Sequence, residues 1–207
     1  MPDLLNLTRR FLYDQLHPTL SSADVDIDEC PNPTVSKVSV FNSAVATFFA
    51  PSDEAGIRGM KRERIRCTRS WQNTGPRQDC AFVMDDSSKQ GMRALRVVRV
   101  KMFFSFTFRG VEYPCALVEW FKTIGLAPDK VTGMWKVKPD IDGTGAARHR
   151  STTVLHMDTF LRGAILLPAH NGSQFMPHDF HHSYTLDVFE AFYVNKYADH
   201  HSNEICF

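Results

Sequence analysis

The stretch from Leu95 to Phe108 constrains the fold more than any other, because it alternates apolar and polar side chains over most of its length. Successive side chains of a β-strand point to opposite faces, so this period of two predicts a strand with one buried face. Arg109-Gly110 then makes a tight connection into a second apolar stretch, Val111 to Phe121. The two stretches are predicted to form a β-hairpin. The alternating apolar residues are Val98, Val100, Met102, Phe104, Phe106 and Phe108.

Other short aromatic and β-branched segments, separated by turn residues, also favour strands over helices. The predicted strand regions are Val38 to Phe49, Cys80 to Met84, Met134 to Val137 and Thr153 to Leu167. Helical periodicity predicts a short helix from Leu4 to Leu16 before His17-Pro18. A second helical stripe near the end of the chain consists of Leu186, Phe189, Phe192, Tyr193 and Tyr197. We expect an α+β fold, a β-rich antiparallel sheet or partly open barrel with an N-terminal helical arm and a C-terminal helix.

An acidic, proline-marked stretch from Asp24 to Pro33 predicts a boundary in the chain. Residues 1–33 are interpreted as a helical arm with an acidic linker, and residues 34–207 as a single β-rich domain. No apolar stretch has the length of a membrane span, and the N-terminus lacks the apolar run of a secretory signal. We therefore expect an intracellular protein without a membrane partner. Its five cysteines are widely scattered and odd in number, which predicts free thiols and no structural zinc site.

Positive charge is concentrated between Gly56 and Arg77, although the whole chain has a net charge of only +1. A local cluster of this kind can hold a polyanion such as DNA. In an extended strand, Arg62, Arg64 and Arg66 would share one side, and Trp71 beside Arg69 could stack on a base. The alternative is that these arginines pair with the acidic linker. The predicted nucleic-acid-binding residues are Arg58, Lys61, Arg62, Arg64, Arg66, Arg69 and Trp71.

Several phrases of the sequence carry a resemblance to a known family. They are Phe49 to Arg66, Tyr113 to Phe121, Thr132 to Val137, Val154 to Asp158 and Phe192 to His201. In these phrases, which extend over most of the chain, the sequence resembles the C-terminal region of Plavaka-type (CACTA-like) transposon proteins of mushroom-forming fungi. The larger proteins of this kind look like DDE-type cut-and-paste transposases whose catalytic carboxylates lie upstream of this segment. The resemblance therefore implies a nuclear, DNA-associated module and transfers no catalytic residue.

A looser likeness concerns the middle of the chain, where a strand containing Trp120-Phe121 is followed by Gly133-Met134-Trp135. This arrangement looks like a BAH-type chromatin module. The likeness rests on pattern alone and implies at most a chromatin partner.

Two other classes of function remain open alongside DNA binding. A protein-interaction module could dock a partner through its aromatic strands or its helical arm. A metal-dependent enzyme could use the C-terminal histidines, with His178, His182 and His200 converging on one ion together with Asp199 or Glu204. The six histidines of this region are His170, His178, His181, His182, His200 and His201.

A hydrolase would need Cys115 or Ser151 as nucleophile, His156 as base and Asp158 as its orienting group. No nucleophile elbow or oxyanion-hole motif accompanies these residues. No catalytic residue, cofactor or resident metal is predicted.

Overall fold

The structure, a computed structural model, describes residues 3–33, 37–52, 57–73, 75–170, 178 and 180–207. These residues form a mostly antiparallel β fold with a nearly closed, barrel-like sheet, a short N-terminal helix and a C-terminal helix. The strands are β1 (Ser39–Phe41), β2 (Ser43–Phe49), β3 (Met60–Thr68), β4 (Arg77–Gln78), β5 (Cys80–Met84), β6 (Leu95–Phe108), β7 (Val111–Ile124), β8 (Lys136–Pro139), β9 (Ile141–Asp142), β10 (His149–Arg150), β11 (Thr152–His156), β12 (Phe160–Ala164), β13 (Leu166–Pro168) and β14 (Phe192–Val194). The α-helices are α1 (Leu4–Leu16), α2 (Thr185–Val188) and α3 (His200–Ile205).

The main sheet nearly closes on itself, because its two edge strands are consecutive along the chain. Its strand order is β12-β5-β6-β7-β8-β14-β13, with β1 added to β6 and β11 added to β7. Only Ile165 separates β12 from β13, so the two ends of the sheet follow each other directly along the chain. A nearly closed sheet of this kind leaves little strand edge exposed to another chain. Its interior is filled by apolar side chains that include Phe82, Phe121 and Phe192, each almost completely buried.

The predicted hairpin is confirmed as β6 and β7, and β6 has the predicted bounds. Its register shifts between Val100 and Met102, because Lys101 is an extra residue opposite β7. Such a bulge reverses the alternation beyond it. Val98 and Val100 therefore pack in a different cluster from Met102, Phe104 and Phe106, whereas Phe103 belongs to the cluster of Val98 and Val100. The expectation of one buried face is wrong, since both faces of β6 carry buried side chains.

A smaller sheet of three strands, in the order β2-β3-β4, covers the outside of the barrel. Its inner face contributes Ile65 and Cys67 to a second core, which they share with Val98, Val100 and Phe103 of β6. The predicted start of the β-rich domain at residue 34 lies outside the described residues. Gly56, at the start of the basic run, also lies outside them.

Helix α1 has the bounds that the sequence predicts, and Asp3 caps it by accepting a hydrogen bond from the backbone N–H of Asn6. Its apolar face packs on the outer part of the β6–β7 hairpin and on β11. Phe11 and Leu12 are buried there in a third core with Phe104, Phe106 and Leu117. The N-terminal segment is therefore part of the packed structure, and its apolar face is already occupied.

The predicted C-terminal stripe does not form one helix. Phe192 and Tyr193 belong to β14, which lies between β13 and β8 and completes the barrel. Leu186 belongs to the four-residue α2, and α3 begins only at His200. Tertiary pairing of an aromatic, β-branched run has here overridden a helical periodicity.

All five cysteines are free, as the sequence predicts, and all five are buried. Removal from water disfavours the thiolate. Burial accordingly raises the pKa of the Cys67 thiol to about 11 and those of Cys80, Cys115 and Cys206 to about 12. These groups are neutral thiols at physiological pH. Among the described residues, no helix has the length and apolar character needed to cross a membrane.

Arg162 joins the barrel, the smaller sheet and α3. Its guanidinium donates to both carboxylate oxygens of Asp199, at 2.8 and 2.7 Å, and its Nε lies 3.4 Å from Oε2 of Glu63. The guanidinium also lies over the ring of Phe48, 4.7 Å from the centroid. Asp199 in turn caps α3 by accepting the backbone N–H of Ser202 at 2.7 Å. One buried cation therefore connects β12 with β2, β3 and α3.

Asp199 predicts an acid-dependent loss of stability. Its hydrogen bonds from Arg162 hold the pKa of this carboxyl well below its ordinary value. The stabilisation is complete above the unfolded-state pKa, near about 4. It is lost as the pH falls through the lower native value. Urea unfolding of the wild type between neutral pH and about pH 3 should show this loss. Asp199→Asn should have a lower free energy of unfolding at neutral pH, and that free energy should fall less as the pH is lowered.

Asp142→Asn is the matched control, because Asp142 is exposed and makes no ion pair with any described residue. It should keep the pH dependence of the wild type. If the free energy of unfolding of Asp199→Asn falls as steeply at acid pH as that of the wild type, other carboxyl groups cause the loss.

Candidate nucleic-acid interface

Strand β3 sorts the charges of the basic run between its two faces. Arg62, Arg64 and Arg66 point to the outer face, because alternate residues of a strand share a face. Lys61 and Glu63 point inward, towards the junction at Arg162. The carboxylate of Glu63 accepts the backbone N–H of Gly163 at 3.1 Å. The only acid of β3 is thereby removed from the outer face.

We call Arg62, Arg64 and Arg66 the arginine row. The strand rises about 3.3 Å per residue, so neighbouring members are roughly 6.6 Å apart along it. Arg64 donates to the hydroxyl of Ser43 on β2 at 2.9 Å. No carboxylate of the described residues lies within ion-pair distance of Arg62 or Arg64. The row therefore presents positive charge to solvent.

Trp71 lies beside the row and organises two arginines. The guanidinium groups of Arg66 and Arg77 lie 4.9 and 4.8 Å from the centroid of its ring, distances typical of cation–π contacts. Arg77 Nε also donates to Asp79 Oδ1 at 2.7 Å. The ion pair between Arg77 and Asp79 is partly exposed and is expected to contribute little to stability. Trp71 thus holds arginines in place, a role that the sequence did not predict for it.

The remaining predicted residues lie away from the row. Lys61 faces inward, with Nζ 3.5 Å from Oδ2 of Asp199, so it does not extend the basic surface. Arg58 is exposed in the turn before β3 and adopts a left-handed backbone with φ of 54°. Arg69 is exposed just beyond β3, where it lines a separate cleft. The acidic linker does not neutralise the arginine row in the described structure.

Apolar side chains border the row on the same outer face. Phe49 lies opposite Met60 at the end of the β2–β3 ladder, and its side chain is 62% exposed. Its ring covers Gly59, where an added Cβ would come within 2.8 Å of Phe49 Cε2. An exposed aromatic ring beside arginines is the combination that stacks unpaired bases. The alternation of side chains along β2 could have indicated which face of the strand carries Phe49. Whether that face is exposed depends on how the smaller sheet packs.

The histidines do not form a metal site among the described residues, where no three His, Cys, Asp or Glu side chains gather in a way that could hold an ion. His201 is buried, stacks on Phe48 with ring centroids 4.7 Å apart, and its Nδ1 lies 3.2 Å from Arg162 Nη1. The ring centroids of His181 and His182 lie 4.1 Å apart. His201 therefore takes part in the Arg162 junction.

Among the candidate hydrolase residues, Nδ1 of His156 lies 3.3 Å from Oδ2 of Asp158, but Cys115 is not activated as a nucleophile. Cys115 and His156 are direct partners in the β7–β11 ladder, but burial raises the pKa of the Cys115 thiol to about 12. A nucleophilic cysteine needs a lowered pKa. His156 stacks parallel to Phe11, and its Nδ1 accepts the backbone N–H of Asp158 at 3.3 Å. These contacts form a turn that supports α1.

Comparisons with protein-family models, with curated proteins and with solved structures found no match to this chain. The resemblance to transposon proteins and the looser BAH-type likeness therefore stay predictions from the sequence.

Proposed function

We propose that this chain is a non-catalytic, transposon-derived module that binds DNA or chromatin through the arginine row. One observation carries the proposal: β3 turns its three arginines outward and its single acid inward. Phosphate contacts supply most of the sequence-independent affinity of proteins for DNA, and arginine is well suited to them. The phrases that resemble transposon proteins support the same reading, and a nuclear location follows from it.

Fluorescence-polarisation titration with a labelled DNA duplex tests the proposal. If the row neutralises three phosphates, affinity should fall roughly 40-fold between about 50 and about 200 mM salt. Reversing Arg62, Arg64 and Arg66 to glutamate should weaken binding at least about tenfold and flatten the salt dependence, because the same contacts are removed. A single-stranded oligonucleotide, with Phe49→Ala as a further variant, would show whether base stacking contributes.

The control reverses three cations elsewhere, Arg93, Lys130 and Lys138, which are exposed and form no ion pair with the described residues. It changes the net charge by the same amount. Thermal unfolding of both triple variants checks that they fold. If the two variants bind DNA equally well, net charge and not the row governs binding, and the proposal is wrong.

A further inference from the structure

A cleft of about 1300 Å³ is lined by residues of β1, β6, β7, β10 and β11, by the segment from the end of β3 to β4, and by Leu4 of α1. One face of the β6–β7 hairpin links the barrel interior with α1. It carries Phe121 in the barrel core, Glu119 next along β7, and then Leu117 in the core beneath α1. Leu117 and Glu119 line the cleft. The cleft therefore lies along a continuous face of β7 that connects the barrel core with the core beneath α1.

The bulge in β6 shapes the floor of this cleft. Because Lys101 is the extra residue, Lys101 and Met102 both reach the cleft although they are adjacent in sequence. A regular strand would place them on opposite faces. The bulge thus sets an ammonium group directly beside an apolar side chain.

Charge in the cleft is gathered around Glu119. Its Oε1 lies 3.1 Å from Lys101 Nζ, and its Oε2 lies 3.8 Å from Arg150 Nε. Behind it, Arg99 donates to both oxygens of Asp187, at 2.5 and 3.1 Å. Arg150 Nη2 also lies 3.6 Å from Oδ1 of Asp187, which does not line the cleft. Among the described lining residues, the three cations Arg69, Lys101 and Arg150 outnumber the one acid, Glu119, so the cleft is positive.

The floor also contains buried polar atoms that lack hydrogen-bond partners. Arg150 Nη1 is one, although Nη2 of the same guanidinium donates to the backbone oxygen of Leu186 at 2.5 Å. Arg99 Nε is a second unpaired donor. Oε2 of Glu119 also lacks a hydrogen bond, but it is an acceptor and lies 3.8 Å from both Arg99 Nη1 and Arg150 Nε. Unpaired buried groups are rare in folded proteins, and each calls for an explanation such as an absent ligand or ion. An anion at Arg150 and Lys101 would supply the missing acceptor.

The walls of the cleft are mainly apolar. Leu4, Val40, Phe41, Met102 and Leu117 line it, and Phe41 is 49% exposed even though it belongs to a strand paired with β6. Ligand pockets combine such walls with a few polar groups that fix orientation. Here the charged lining groups are three cations, Arg69, Lys101 and Arg150, and one acid, Glu119, beside neutral polar side chains such as Asn42 and Gln78.

We propose that the cleft binds an elongated apolar small molecule with one anionic head, a carboxylate or a phosphate. The head contacts Lys101 and Arg150, and the body lies along Phe41, Met102 and Leu117. This site is separate from the arginine row, since none of the row's three arginines lines the cleft.

Titration with dansyl-undecanoic acid, whose fluorescence rises in apolar surroundings, tests the proposal on the full chain. The wild type should bind the acid saturably, and at least about tenfold more tightly than its neutral methyl ester, because a charge-assisted hydrogen bond is lost with the ester. Decanoate and decyl phosphate, used below their micellar concentrations, then compete for the site and show which head group is preferred. If neither competes, or if the ester binds as well as the acid, the proposal is wrong.

Two variants separate the roles of floor and wall. Lys101→Gln should weaken binding of the acid about tenfold and leave binding of the ester nearly unchanged. Phe41→Glu should weaken both, because it removes apolar contact and adds a charge of the ligand's own sign. Leu126→Glu is the matched control at a site that is 91% exposed and outside the cleft, and it should bind both probes like the wild type. Equal effects of Phe41→Glu and Leu126→Glu would place the ligand elsewhere and overturn the proposal.

Discussion

Replacing Arg162 with methionine is expected to lower the free energy of unfolding by about 3–5 kcal/mol, the usual result of removing one partner from a buried ion pair. The guanidinium is only 3% exposed and contacts two carboxylates. Methionine fills much of the same volume but leaves Asp199 and Glu63 without their buried cation. The capping of α3 and the attachment of the smaller sheet should weaken together. Urea unfolding monitored by tryptophan fluorescence and by circular dichroism measures the change.

Arg93→Met provides the control for Arg162→Met, because Arg93 is exposed and forms no ion pair with the described residues. A substitution of that kind usually changes stability by no more than about 0.5 kcal/mol. A second variant, Arg162→Met combined with Glu63→Gln, should recover part of the lost stability, since it removes an uncompensated charge and keeps a side-chain oxygen that can accept the N–H of Gly163. If Arg162→Met is as stable as Arg93→Met, Arg162 does not hold these elements together.

Replacing Leu12 with alanine is expected to cost about 2–5 kcal/mol, the range for large-to-small changes in a packed core. Leu12 is fully buried between α1 and the hairpin. The helix itself should tolerate alanine, which has the highest helix propensity. The loss would therefore measure the docking of α1 on the barrel and not its helical stability. Chemical unfolding followed by circular dichroism gives the value.

Leu5→Ala makes the same chemical change in the same helix at a side chain that is 52% exposed. It should cost much less, because little apolar surface is uncovered there. Equal losses in the two variants would mean that α1 contributes through local helicity alone. A stability of Leu12→Ala equal to that of the wild type would mean that the arm is undocked in solution. That result would favour the alternative in which the arm binds a partner protein.

The sequence was most informative where local patterns are strong. Helix α1 and strands β5 and β6 have the predicted bounds, because caps, prolines and alternation act over a few residues. The free state of the cysteines also followed from their number and spacing. The sharing of one side by Arg62, Arg64 and Arg66 followed from the period of a strand, once β3 was taken to be extended.

Other features needed the packed chain. The bulge at Lys101 leaves no composition signal, because it arises from the pairing of β6 with β7. The C-terminal aromatic stripe has a helical period, yet Phe192 and Tyr193 complete the barrel as part of β14. The inward pairing of Lys61 depends on Asp199, a residue far away in sequence that reaches it only through the attachment of α3.

By itself, then, the sequence of this protein determined the bounds of the first helix and of strands β5 and β6, and the sharing of one side of an extended strand by Arg62, Arg64 and Arg66. These properties depend on neighbouring residues and on the repeat of the backbone. Only the tertiary structure decided that the sheet nearly closes, that Arg162 binds carboxylates from two distant segments, and that a positive cleft lies along the face of β7 that connects two cores. Those outcomes depend on contacts between residues far apart in the chain, and a local pattern does not specify them.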